Sequence, residues 1–92
     1  MTRITVERSH RLGRDEARQR AQALADRLAS QYDLSCRWNG DCLEFRRTGA
    51  DGRIEVADDS VRVEIKLGLL LSALGSTIRR EIESTLDKSL GA

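Results

Sequence analysis

The sequence predicts an α+β domain of order β-α-β-β-β-β-α, a five-stranded antiparallel sheet with two helices packed on one face. Three observations carry this. Apolar and polar residues alternate near the N-terminus and again from Leu34 to Leu67, Gly-, Asn- and Asp-rich turns divide the second stretch into four, and two segments repeat their apolar residues at helical spacing. A chain of 92 residues cannot divide into two cores of useful size, so residues 1–92 are read as a single domain.

The first strand spans Arg3 to Ser9, with Ile4 and Val6 on one side and Arg3, Thr5 and Glu7 on the other. A helix follows from about Gly13 to Tyr32. Gly13 serves as N-cap, and Asp15 and Glu16 occupy the first turn, where the helix dipole favours carboxylates. Its buried stripe reads Ala17, Ala21, Leu24 and Leu28, extended by Tyr32.

Asn39-Gly40 is the dipeptide of a type I′ hairpin, and such a turn pairs Trp38 with Asp41, Cys36 with Leu43 and Leu34 with Phe45. Pairing Phe45 with Ile54 and Leu43 with Val56 then leaves residues 48–52 as a connection. A turn at Asp58-Asp59 pairs Val56 with Val61 and Ile54 with Val63. All three hairpins put their large apolar side chains on one face. The other face carries Arg3, Glu7, Arg37, Glu44, Arg46, Arg53, Glu55, Arg62, Glu64 and Lys66, which reads as a solvated surface, with an electrostatic docking face as the alternative. Cys36 and Cys42 fall on opposite faces and are expected to be reduced thiols.

The last segment, from about Leu70 to Leu90, places Leu70, Leu71, Leu74, Ile78, Ile82, Leu86 and Leu90 on one helical face. Gly75-Ser76 marks a kink, a late helix start or a close approach of the two helices. Setting strand one beside strand five makes every pairing antiparallel and gives the order 2-3-4-5-1, with strand one parallel to strand two as the alternative.

Sixteen Lys and Arg face fifteen Asp and Glu, interleaved along the chain with no basic block, and Trp38, Tyr32 and Phe45 are the only aromatics. Nucleic-acid binders concentrate positive charge, and single-strand binders need exposed rings, so no nucleic-acid partner is expected. The polar N-terminus and the lack of any transmembrane-length stretch predict a cytoplasmic protein with no transmembrane segment.

No catalytic constellation, cofactor motif or metal site emerges. His10 is the only histidine, without partners at ligand spacing, and is assigned a structural or exposed role. Ser72, Ser76, Ser84 and Ser89 have no neighbouring base, Gly49 and Gly52 are followed by no Lys-Ser or Lys-Thr of a phosphate loop, and Asp58-Asp59 reads as a turn former. The feature that folding alone leaves open is Leu67-Gly68-Leu69-Leu70-Leu71. Consecutive leucines cannot all point into one amphipathic interface, so they form either a lid over the core or a contact patch of Leu69, Leu70, Leu71 and Leu74.

Ser9-His10-Arg11-Leu12-Gly13 followed by Glu16-Ala17-Arg18, the Trp38-Asn39-Gly40-Asp41 turn with Phe45, Gly52, and Leu67 to Leu71 leading into Ile78, Ile82, Leu86 and Asp87 together resemble the polyhydroxyalkanoic acid system proteins, a bacterial family linked with storage-polyester granules. The resemblance implies a non-enzymatic accessory or binding protein of polyhydroxyalkanoate metabolism, partnered by the granule surface or a granule protein. It supplies no catalytic residues, and the sequence lacks a long apolar or Ala-rich anchor. Two alternatives from other classes are a small module holding an acyl ligand between helices and sheet, and a homodimeric interaction module.

Overall fold

In the computed structural model, which describes residues 2–90, the elements run β1 (Thr2–Ser9), α1 (Arg14–Tyr32), β2 (Ser35–Asn39), β3 (Cys42–Arg47), β4 (Ala50–Val56), β5 (Ser60–Leu67), a single turn α2 (Leu69–Ser72) and α3 (Gly75–Leu90). The five strands form one antiparallel sheet of order β1-β5-β4-β3-β2, the order the apolar pattern predicted. β1 pairs along its whole length with β5, from Thr2 opposite Leu67 to Ser9 opposite Ser60, so the parallel alternative is not adopted.

The β4–β5 hairpin has the expected register, with Ile54 opposite Val63 and Val56 opposite Val61, and Ala57 N–H closes on Ser60 O around Asp58-Asp59. The other two hairpins are each displaced by two residues from the predicted pairing. β2 meets β3 with Trp38 opposite Leu43 and Cys36 opposite Phe45, and the loop is Gly40-Asp41. Gly40 has φ 64 and Asp41 a negative φ, the sign pattern of a type II′ rather than a type I′ turn. β3 meets β4 with Leu43 opposite Ile54 and Phe45 opposite Gly52, which shortens the predicted five-residue connection to Thr48-Gly49.

A slip of two keeps every side chain on its predicted face, so the apolar pattern cannot detect it. Packing decides. A Cβ on Gly52 would lie 2.5 Å from Glu64 O and 2.8 Å from Phe45 Cε2, so the Phe45 ring occupies the space that a side chain at 52 would fill.

α1 presents Ala17, Ala21, Leu24, Ala25 and Leu28 to the sheet, with Tyr32 half-buried at its end. Asp15 and Glu16 stand in its first turn, where no side chain caps the helix and Gly13 O accepts from Ala17 N. The chain leaves α1 through Asp33 at φ 58, whose N–H closes on Ala29 O. α3 begins at Gly75 rather than near Leu70, because α2 is a separate turn, and buries Ile78, Ile82, Leu86 and Leu90. Gly75 is a close approach as well as a start: a Cβ there would lie 3.2 Å from Thr2 Cγ2 on β1. Both long helices cover the same apolar face, and the other face of the sheet carries the charged residues.

Candidate functional site

The leucine corner grows from Gly68. This residue ends β5 in an extended conformation, its N–H donates to Gly49 O at 2.7 Å, and a Cβ on it would sit 3.2 Å from that same oxygen. The β3–β4 turn thus anchors the point where the chain reverses. Gly68 O in turn accepts from Leu71 N, Ser72 N and Ser72 Oγ, which closes the single turn of α2. Ser72 spends its hydroxyl on this backbone contact.

Successive residues on a helical turn point about 100° apart. Leu71 therefore turns inward onto the core, while Leu69 stands 84 % exposed and Leu74 39 % exposed. Leu71 thus lies over the core, as the lid reading expects, while Leu69 and Leu74 stand at the surface. The side chain of Leu70 lies outside the described residues. Beneath Leu71 an apolar crevice runs between Leu28, Tyr32, Phe45, Leu67 and Ile78, and its volume of about 20 Å³ is that of a single water. That is far less room than an acyl chain fills.

The charged face is ordered in rows across the sheet. Arg3, Lys66, Asp51 and Arg46 form the row nearest the leucine corner; Thr5, Glu64, Arg53, Glu44 and Arg37 the next; Glu7, Arg62 and Glu55 the third. Signs alternate along the second and third rows, and Arg53–Glu55 (3.2 Å) and Arg62–Glu64 (3.3 Å) pair along their own strands. Such exposed pairs keep a sheet face soluble and contribute little stability.

At the opposite end of the sheet lies a cluster that sequence reading missed. Asp41 accepts from Arg14 Nη1 and Arg18 Nη1, each at 3.1 Å, and Arg14 Nε reaches Asp58 Oδ1 at 3.1 Å. The Arg18 guanidinium lies 4.4 Å from the centre of the Trp38 ring, whose Nε1 donates to Gln22 Oε1 at 2.6 Å. The spacing of Arg14, Arg18 and Gln22, one helical turn apart on α1, was the available signal. The Trp38-to-Asp41 turn is therefore a clasp between the hairpin and α1.

His10 belongs to the same end and is buried. Leu12 N–H donates to its Nδ1 at 3.1 Å, which places the ring proton on Nε2, 3.2 Å from Ala57 O. His10 N–H donates to Asp59 O at 2.9 Å. The ring thus staples the β1–α1 loop to the β4–β5 turn, which is the structural and not the exposed one of the two roles expected for it.

Cys36 and Cys42 are free thiols on opposite faces. Burial pushes both thiols upward, aided by Asp26 at Cys36 and by Glu55 at Cys42, which disfavours the thiolate. Among the described residues no group of three or more His, Cys, Asp or Glu could hold a metal ion, and no helix is long and apolar enough to cross a membrane.

The fold is shared with the NMR structure of PA4090 from Pseudomonas aeruginosa, which superimposes at a TM-score of 0.61 with 9 % sequence identity over 98 % of this chain and 91 % of that one. No curated protein sequence gives a significant match. The family model described as "Putative polyhydroxyalkanoic acid system protein" matches residues 4–90, nearly the whole domain and all the segments that carry the resemblance. The chain belongs to the polyhydroxyalkanoic acid system protein family.

Proposed function

We propose that this protein works by contact, as a non-enzymatic accessory protein of the polyhydroxyalkanoate system that docks through its leucine corner on the granule surface in the bacterial cytoplasm. The observation that carries the reading is Leu69, a large aliphatic side chain left 84 % exposed on a turn that backbone hydrogen bonds hold in place. A soluble domain gains about 1.5–3 kcal/mol by covering such a side chain, and a docking surface can supply that cover. Leu74, beside it, enlarges the patch.

Two further observations support contact over chemistry. The single histidine has both ring nitrogens engaged by backbone groups, and Ser72 at the corner donates its hydroxyl to Gly68 O. The crevice under Leu71, at about 20 Å³, disfavours a module that stores an acyl ligand between helices and sheet.

The test is cosedimentation of a tagged copy with polyester granules from a polymer-accumulating cell. Wild type is expected in the granule fraction, and replacing the exposed Leu69 and Leu74 by Ser should move it to the supernatant with the fold intact by circular dichroism. Wild type remaining in the supernatant would overturn the reading.

A further inference from the structure

The leucine end of the molecule carries cations that make no ion pair with the protein's own carboxylates. Arg3, Arg46 and Lys66 form the outermost row of the charged face, Arg47 flanks the β3–β4 turn that holds Gly68, and Arg79 and Arg80 stand on α3 within two turns of its start at Gly75. All six are exposed. Among the described residues the ion-paired arginines are Arg8, Arg14, Arg18, Arg20, Arg27, Arg53 and Arg62, and none of the six is among them. Arg47 makes hydrogen bonds only to backbone, at Tyr32 O and Thr48 O.

The carboxylates at this end are Asp26 in the last two turns of α1, Asp33 after it and Asp51 in the outermost row, since the next acid along α3, Glu81, is paired with Arg27. Six cations against three carboxylates leave +3 on the leucine end of a chain whose formal net charge is +1, so the remainder carries −2. An even composition hides a strongly polarised molecule.

Resting on the reading that the leucine corner docks, we propose that its target is an anionic lipid surface: Leu69 and Leu74 enter the apolar layer while Arg3, Arg46, Arg47, Lys66, Arg79 and Arg80 meet lipid phosphates. Charge complementarity selects this occupant. A second copy meeting the first through its leucine end would bring like charges of +3 together, which opposes dimerisation there. A shaped peptide needs a cradle, but the leucines stand out from the surface and the crevice behind them has room for no more than about one water. A protruding apolar side chain ringed by long flexible cations suits a deformable charged interface, where insertion and electrostatic attraction add.

The experiment is flotation of the intact protein with vesicles of phosphatidylcholine alone or with about one third phosphatidylglycerol, and with polyhydroxybutyrate particles, bare or coated with the same lipids. Retention is expected at least tenfold greater on anionic vesicles and anionic-coated particles, and falling steeply between low and high salt. Arg79→Gln with Arg80→Gln, and Leu69→Ser separately, should each reduce it severalfold, while Arg11→Gln, at the opposite end, leaves it unchanged. Equal, salt-independent binding to bare particles overturns the lipid assignment and leaves the granule reading standing. Binding to neither particles nor vesicles overturns both. Arginine variants that bind anionic vesicles as wild type does overturn the role of the cations.

Discussion

The two ends of the sheet draw on the same kinds of side chain and use them in opposite ways. At the end formed by the β1–α1 loop and the Gly40-Asp41 and Asp58-Asp59 turns, charged and aromatic groups satisfy one another: Arg14 and Arg18 converge on Asp41, Arg18 covers Trp38, and His10 joins two loops. At the end formed by Gly49, Gly68 and α2, the turn is held by bonds to backbone oxygens, those from Ser72 Oγ and Arg47 among them, while Leu69 and a set of cations without ion pairs point to solvent. The first end is closed upon itself. The second is ordered mainly through backbone oxygens, which leaves Leu69 and most of its charged side chains without partners.

The contrast can be tested by substitution, beginning with the frame both ends share. Gly52→Ala forces a Cβ to within 2.5 Å of Glu64 O and 2.8 Å of Phe45, and overpacking of this kind should cost about 3 kcal/mol, read as a lower urea midpoint with loss of structure at both ends together. Trp38→Ala removes a half-buried ring, its hydrogen bond to Gln22 and its contact with Arg18, and is expected to cost about 2 kcal/mol by the same measurement. Granule binding by the folded fraction should survive it; loss of binding would show that the two ends are coupled.

Asp41→Asn weakens two half-exposed ion pairs that water already screens, so a loss of no more than about 1 kcal/mol is expected at low salt and less at high salt. Salt-independent destabilisation would mean that the clasp works by shape instead. The smallest effect on folding belongs to Leu69→Ser, expected within about 0.5 kcal/mol of wild type because the side chain has little to lose. Its effect on granule cosedimentation should nevertheless be the largest of the series. A variant that unfolds instead would turn the corner into a structural element and remove the contrast.

Strand faces, sheet order, the helix stripes and the unpaired thiols were legible in the sequence, because the period of two for strands and of about 3.6 for helices records which side of each element meets the core. Residues Ile54, Val56, Val61 and Val63 even carried their register, since a two-residue turn at Asp58-Asp59 left a single fit. The leucine corner was visible as a run that no amphipathic face could absorb.

What only the tertiary structure decided depends on contacts between elements distant in sequence. The registers of β2–β3 and β3–β4 differ from the turn-based expectation by two, a shift to which a period-two pattern is blind; the Phe45 ring over Gly52 and Trp38 against Arg18 and Gln22 select the observed pairing. Which leucine faces out also lay beyond the sequence, because α2 is a separate turn whose orientation is fixed by the Gly68–Gly49 hydrogen bond. The composition sets a net charge near zero, but only folding brings six cations without ion pairs to the end of the molecule that carries Leu69. Charge balance is a sum over residues, whereas a docking surface depends on where they come to lie.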